Sequence, residues 1–251
     1  MKFWNLLPRK IRFFIWNIKT LKKYETKTGK YYLPFFAFQD AIRNRIINNE
    51  ITDKLVFDKI KDFIKPNSIV LDLGANFGQM SILWSEQKPN VKVYAFEASK
   101  YVFSILKKNI DINQSNVEPI NALMGNESNK NQFIKKSVLR ENKSYGNNKI
   151  IKAEDLDDQE KDKIIALKID DLNFNKKISA MKIDVQGYDL EVLKGSEKTI
   201  LKHKMPIVFE YEEKFAKEFN YTFKDFEDFI KKINYKIETK IDAINYLIIP
   251  K

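Results

Sequence analysis

From Ser68 onward the chain alternates short apolar runs with stretches whose apolar residues recur every three or four positions. The runs "SIVLDLG" (68–74), "VKVYAFEAS" (91–99), "VEPINALMG" (117–125), "ISAMKIDVQG" (178–187) and "MPIVFEYEE" (205–213) read as strands. The stretches "GQMSILWSEQK" (78–88), "KYVFSILKKNIDIN" (100–113), "YDLEVLKGSEKTILKH" (188–203) and "TFKDFEDFIKKI" (222–233) read as helices. Parallel neighbours need a crossover connection, so this alternation predicts βαβ units and a parallel sheet. The last two apolar stretches, "YKIETKI" (235–241) and "INYLIIP" (244–250), are separated only by Asp242 and Ala243. They predict a terminal β-hairpin, and hence an antiparallel strand at the end of the sheet.

The rhythm fails between about residues 126 and 171, where the chain is polar and irregular with hairpin-like pieces. This is read as an insertion or lid, since long loops of this kind often carry function. Ahead of the sheet, "TGKYYLPFF" (28–36) predicts a turn and a short strand or loop. "DAIRNRIINNE" (40–50) and "ITDKLVFDKIKDFI" (51–64) have helical spacing, the second stopped by Pro66 and Asn67. Residues 1–24 predict a basic amphipathic helix: Ile11, Phe14, Ile15, Ile18 and Leu21 share one face, while Arg9, Lys10, Arg12, Lys19, Lys22 and Lys23 crowd elsewhere. Such a helix suits an anionic membrane surface, or it packs on its own domain or on a second subunit. Charges interrupt its apolar residues and no small-residue cleavage site follows, so it does not read as a signal peptide.

Composition narrows the chemistry. The 251 residues, 43% of them hydrophobic, are ample for one sizeable core. The formal charge of +11 raises nucleic acid as a partner. However, only Arg9, Arg12, Arg43, Arg45 and Arg140 among the 45 basic residues are arginines, the residue that specific base and phosphate readout leans on. An anionic membrane surface or an anionic substrate is the better reading of the charge. The absence of cysteine excludes disulfides and thiolate chemistry and is compatible with a reducing, cytoplasmic compartment. A single histidine, His203, excludes a histidine-rich metal cage and is expected as a solvated ring in a helix-end loop.

The stretch Asp72-Leu73-Gly74-Ala75-Asn76-Phe77-Gly78 follows a strand and precedes a helix, the context that makes a glycine motif credible. A dinucleotide site wants glycine at the first, third and sixth places, where bare backbone meets a pyrophosphate. Here the third place is Asn76 and the sixth is Gln79, so NAD or FAD fits poorly. S-adenosyl-L-methionine carries no phosphate and tolerates a polar side chain between the two glycines. Its ribose needs an acceptor at the end of the second strand, and Glu97 stands there, 25 residues after Asp72.

These residues, with "VLDLGANFGQ" (70–79), "VYAFEAS" (93–99), "NALMG" (121–125), "LKIDDL" (167–172), "MKIDVQGYDLEVLKGSEKTI" (181–200) and "PIVFEYE" (206–212), resemble the FkbM family of S-adenosylmethionine-dependent methyltransferases. The resemblance implies an α/β, Rossmann-like class I methyltransferase sheet, mostly parallel and ending in an antiparallel β-hairpin. The organisation expected is an N-terminal basic amphipathic and helical extension over residues 1–65, and a methyltransferase domain over 66–251 with the insertion inside it. The resemblance also implies that Asp72, Gly74, Asn76, Phe77 and Gly78 cradle the methionine part and ribose of the cofactor. Glu97 would hold the ribose hydroxyls, with Ala98, Ser99, Asn121 and Ala122 edging the adenine. Gln186 stands where many relatives carry an acid.

Ligands of such a sheet bind at the carboxyl ends of its strands, where Asp184 and Glu210 sit. Asp184 is expected as the base or the group that positions the acceptor, with a helix cap as the competing role. Glu210 is expected as its partner or a substrate ligand, with an ion pair to Lys182 as the competing role. Asp171 and its neighbour Asp170 stand near the acceptor or cap a turn or helix. Tyr188, Tyr211 and Tyr145 are candidates for packing on a sugar ring. A carboxylate site for a divalent metal from Asp171, Asp184 and Glu210 is chemically conceivable, but no metal is expected. The resulting expectation is an O-methyltransferase acting on a hydroxyl of a saccharide, glycolipid or related metabolite. An RNA methyltransferase and a non-catalytic membrane-surface module are the alternatives.

Overall fold

A computed structural model describes residues 20–135 and 161–251, together with Pro8, Tyr145, Ile150 and Ile151. Two antiparallel strands, β1 (Leu21–Thr26) and β2 (Gly29–Pro34), come first, followed by helices α1 (Ala41–Ile47) and α2 (Lys54–Phe63). The expected amphipathic helix over residues 1–24 therefore fails at its C-terminal end. Leu21–Thr26 is extended because it pairs in full with Gly29–Pro34, across a turn in which the Thr26 hydroxyl donates to the Gly29 carbonyl at 2.9 Å. Residues 1–7 and 9–19 of that reading lie outside the described residues.

The βαβ alternation then begins: β3 (Ile69–Leu73), α3 (Gln79–Ser85), β4 (Lys92–Phe96), α4 (Lys100–Asn113) and β5 (Val117–Ile120). The apolar run 117–125 breaks after β5. The Asn121 amide donates to the carbonyls of Glu97 (2.8 Å) and Ala98 (3.1 Å). Beyond it β6 (Leu123–Met124) pairs in parallel with Ala166 and Leu167 of β9 (Lys161–Leu167). With β7 (Asn131–Lys135) and β8 (Ile150–Ile151) these make a second, four-stranded sheet, so the hairpin-like pieces of the inserted stretch are a sheet of their own.

The main sheet resumes with β10 (Ile178–Ile183), α5 (Asp189–Lys194), α6 (Glu197–His203), β11 (Ile207–Glu210), α7 (Glu213–Glu218), α8 (Phe223–Lys232), β12 (Tyr235–Lys240) and β13 (Asn245–Pro250). The single helix expected over 188–203 is two. At Gly195 a Cβ would come within 1.9 Å of the Gly125 carbonyl, and the Ser196 hydroxyl turns back to the Val192 carbonyl. Asp170 accepts from the amides of Lys198 (3.0 Å) and Thr199 (2.8 Å), so it caps α6 rather than serving an acceptor. His203 is buried at the end of α6 and accepts from the Ile178 amide at 3.1 Å, not solvated as expected. Burial and the nearby Lys202 and Lys177 lower its pKa.

The seven strands lie in the order β12-β13-β11-β10-β3-β4-β5, with β13 antiparallel to both its neighbours and the rest parallel. This is the class I methyltransferase arrangement, with the antiparallel end that the terminal hairpin predicts. Every position of β3, β10 and β11 is buried, because helices cover both faces. One core holds Val70, Trp84, Val93 and Ile105 with residues of the N-terminal segment. The other holds Leu71, Ile183, Leu193 and Phe226. Strand order reverses between β3 and β10, so a crevice opens at their carboxyl ends.

Candidate active site

The backbone at the end of β3 can turn only because of its glycines. Gly74 has φ +87°, and a Cβ there would stand 1.9 Å from the Asp184 carbonyl, so β3 and the end of β10 touch backbone to backbone. Gly78 also has φ +87° and opens α3. Asn76 holds the left-handed bend between them (φ 52°), with its side chain accepting from the Phe77 amide at 2.8 Å. The amides of Gly74 and Ala75 both donate to the Phe96 carbonyl at 2.9 Å, which ties this loop to the end of β4.

Glu97 stands immediately beyond β4. It is buried and accepts from the backbone amides of Asn76 (3.0 Å) and Ser99 (2.8 Å). Burial pushes its pKa up to about 7 even though both amides favour the charged form. The loop, Glu97, Ala98 and Ala122 line one cavity with about 230 Å³ open to the centre of a water molecule.

The same cavity reaches Asp184 and Glu210. Between them and the glycine loop lies Lys182, an inward residue of β10 whose side chain is 4% exposed. Its ammonium group is 3.1 Å from the Gly74 carbonyl, 3.3 Å from Asp184 Oδ2 and 3.4 Å from Asp72 Oδ1. Burial alone would lower its pKa, but the charges of Asp184 and Asp72 outweigh burial and raise it. Asp72 is fully buried and its other oxygen accepts from the Ser81 hydroxyl. It holds the loop from beneath and does not line the cavity. Asp184 keeps a side chain that is 30% exposed and accepts from the Gln186 amide at 3.3 Å. It does not cap the following helix α5, whose N-cap residue Tyr188 makes no side-chain cap bond. Glu210 is 9% exposed, and its Oε2 is buried with no hydrogen-bond partner among the described residues. Burial, then the charges of Asp184 and Asp189, drive its pKa upward, which favours the neutral acid. Lys182 pairs with Asp184 and Asp72, not with Glu210.

Other expected residues lie apart from this cavity. Ser99 caps α4, accepting from the Val102 amide, and Asn121 braces the Glu97–Ala98 carbonyls. Tyr188 packs on Phe219, Tyr211 on Phe223 and Phe226, and Tyr145 is buried against Phe77 and Tyr101. Asp171 faces Lys168 at 3.9 Å. Among the described residues no three His, Cys, Asp or Glu side chains are grouped to hold a metal, so the conceivable carboxylate site does not assemble.

The reading by motif missed several wall residues. Ile42, Thr52, Asp53 and Val56 come from the N-terminal segment, Leu123 and Ile134 from the second sheet, and Asn245 from β13. Gln79 fastens the N-terminal segment. Its amide accepts from the Thr52 backbone amide and donates to the Glu50 carbonyl and Thr28 hydroxyl. A buried glutamine where a dinucleotide site wants glycine was the available signal.

A model of the FkbM methyltransferase domain matches residues 72–237, about two thirds of the chain. The chain belongs to the FkbM methyltransferase family. It is therefore an S-adenosylmethionine-dependent methyltransferase, with the fold such enzymes share. No curated protein matches the enzyme in sequence. Among solved structures it is similar to methyltransferase FkbM from Methylobacillus flagellatus KT (15% identity, 85% of this chain and 52% of that one, TM-score 0.46). It is also similar to precorrin-6y C5,15-methyltransferase from Geobacter metallireducens GS-15 (15%, 79% and 88%, 0.46). A third is a TehB-like SAM-dependent methyltransferase from Corynebacterium glutamicum (9%, 83% and 93%, 0.48). The family assignment rests on the sequence match.

The residues present fit S-adenosylmethionine. A buried carboxylate and a glycine-bent backbone line one cavity, and Lys182, the basic side chain among its described lining residues, is already paired with Asp72 and Asp184 rather than left for a phosphate. No helix among the described residues is long and apolar enough to cross a membrane.

Proposed function

We infer that the enzyme methylates a hydroxyl group of a saccharide, glycolipid or related metabolite. The observation that carries this reading is Asp184, a partly exposed carboxylate at the end of β10 that lines the same cavity as Glu97 and the glycine loop. Gly74, Asn76, Phe77 and Gly78 would hold the cofactor's methionine and ribose, Glu97 the ribose hydroxyls, and Ala98 and Ala122 the adenine. Ser99 and Asn121 would act behind them by fixing Glu97. When bound, S-adenosylmethionine supplies an electrophilic methyl group on a sulfonium.

A hydroxyl is a weak nucleophile and must lose its proton as its oxygen takes the methyl group. Asp184 would accept that proton. Lys182, fixed by Asp72 and the Gly74 carbonyl, sets the position of the Asp184 oxygens relative to the loop. Glu210, whose burial favours its neutral form, would be a hydrogen-bonding partner of the acceptor or of Asp184. The high lysine content and the basic residues among 1–24 suit a membrane-proximal acceptor. Incubation with methyl-labelled cofactor and cell-surface glycan intermediates tests the reading. Label on a glycan or glycolipid oxygen supports it, and label confined to RNA or protein refutes it.

A further inference from the structure

The amino-acid end of S-adenosylmethionine carries an ammonium and a carboxylate, and the glycine loop gives neither a charged side chain. Asp72, the acid of the motif, does not line the cavity and is committed to Ser81 and Lys182. Gly74, Ala75, Phe77 and Gly78 offer backbone or hydrocarbon, and the Asn76 side chain is turned to the Phe77 amide. Four acids do line the cavity. Glu97 follows β4, and Asp184 and Glu210 stand at the ends of β10 and β11. The fourth, Asp53, comes from the N-terminal segment and has no part in the loop motif.

The conformation of Asp53 leaves its carboxylate free of the helix it precedes. An aspartate at that place ordinarily has an extended backbone and accepts from the first amides of the helix. Here the backbone is left-handed (φ 45°, ψ 52°) and the side chain makes no cap bond to α2. Its partner among the described residues is the Arg45 guanidinium, 3.0 Å from Oδ1, which leaves Oδ2 open. Its charge also acts on Lys182, the residue that holds the Gly74 carbonyl. Thr52, beside it, lines the same cavity and is 6% exposed, and its hydroxyl is buried with no hydrogen-bond partner among the described residues. A buried polar atom without a partner is costly, so this hydroxyl is a place for a ligand's acceptor. Gln79 fixes both residues against the loop. It follows Gly78 directly, accepts from the Thr52 amide at 2.9 Å and donates to the Glu50 carbonyl at 2.9 Å.

We propose that Thr52 and Asp53 form the subsite for the amino-acid end of the cofactor, with the Asp53 carboxylate accepting from its α-ammonium and the Thr52 hydroxyl donating to its α-carboxylate. Both residues lie ahead of the stretch 72–237 that the family model matches, so this chain's own N-terminal segment completes the cofactor site. Gln79 is the positioning residue: the side chain that replaces a third glycine brings the two partners to the loop. The subsite concerns the cofactor alone and does not depend on which acceptor is methylated.

The test is isothermal titration of the full chain with four ligands: S-adenosylhomocysteine, its deaminated analogue, its decarboxylated analogue, and methylthioadenosine, which lacks the amino-acid end. In the wild type, removing the amino group should weaken binding about 10-fold or more. Asp53→Asn should weaken S-adenosylhomocysteine by a similar factor, yet bind the deaminated analogue and methylthioadenosine within about threefold of wild type. Thr52→Val should weaken S-adenosylhomocysteine about 3- to 10-fold and leave the decarboxylated analogue unaffected. The hydroxyl it removes has no partner in the free protein, so its denaturation midpoint without ligand should not fall. Unchanged affinity for S-adenosylhomocysteine in Asp53→Asn overturns the proposal. So does a wild type that does not distinguish the deaminated analogue, or an Asp53→Asn variant that weakens methylthioadenosine equally, which marks a role in the fold. A lower midpoint in Thr52→Val, or an equal loss with the decarboxylated analogue, overturns the part given to Thr52. A wild type that binds none of the four would instead overturn the cofactor site itself.

Discussion

Replacing Glu97 by Gln probes the cofactor end of the site. Both carboxylate oxygens accept backbone amides, from Asn76 at 3.0 Å and Ser99 at 2.8 Å. A glutamine keeps the shape but must point its NH2 at one of those donors, so one contact becomes donor against donor. The ribose hydroxyls also lose an ionised acceptor, and hydrogen bonds to charged groups contribute about 1.5–3 kcal/mol each. We expect a loss near 3 kcal/mol, which is about 100-fold in Kd for S-adenosylhomocysteine. The pH dependence adds a signature. Glu97 is raised to about 7, and ribose donors favour its charged form. Affinity should therefore weaken as pH falls below about 7 in the wild type and stay nearly flat in the variant. Stability runs the other way. A carboxyl whose folded pKa is raised from 4.5 to about 7 favours folding most below 4.5, and that advantage is lost as pH rises through about 7. The span corresponds to about 3 kcal/mol. Isothermal titration and urea melts of both proteins between pH 5 and pH 8 (roughly the window of that shift) measure the two trends. Binding within threefold of wild type (about 0.6 kcal/mol) and equal pH profiles would refute the reasoning.

Other outcomes follow from the same geometry. Gly74→Ala should cost more than about 3 kcal/mol in a denaturant melt, because a Cβ would stand 1.9 Å from the Asp184 carbonyl at φ +87°; a loss under 1 kcal/mol (about the ordinary surface effect) contradicts it. Gln79→Ala strands the Thr52 amide and the Glu50 carbonyl, so hydrogen exchange at residues 50–56 should accelerate by about 10-fold or more. Removing residues 1–19 should abolish flotation with anionic vesicles without changing cofactor affinity, if the basic segment makes the membrane contact; unchanged flotation discards that contact.

The architecture was legible where the chain obeys one period at a time. Strands such as Ile69–Leu73 and Ile178–Ile183 are short and mostly apolar, and the helix over Lys100–Asn113 has a regular stripe that ends where its spacing predicts. The failures come from contacts remote in sequence. Nothing local to 117–125 shows that Asn121 will be drawn to the Glu97 and Ala98 carbonyls and that Leu123 will pair with Ala166. Nothing local to 188–203 shows that Gly125 will press on Gly195 and split the helix. At the site, the glycine turn and Glu97 were readable because backbone conformation and strand-end position dictate them. Lys182 reads as an ordinary basic residue of a strand, yet it is the buried link between Asp72 and Asp184. Tyr188 and Tyr211 are expected to pack on a sugar ring, but a strand end turns successive residues to different sides, and both rings face other aromatics.

The most direct test of the account is Asp184→Asn, assayed for methyl transfer to a hydroxyl acceptor and for S-adenosylhomocysteine binding in the same preparation. A base that takes the hydroxyl proton contributes about 100- to 10,000-fold, so turnover should fall by at least about 100-fold while Kd stays within about threefold. Turnover near the wild-type rate in a variant that binds the cofactor normally would contradict it.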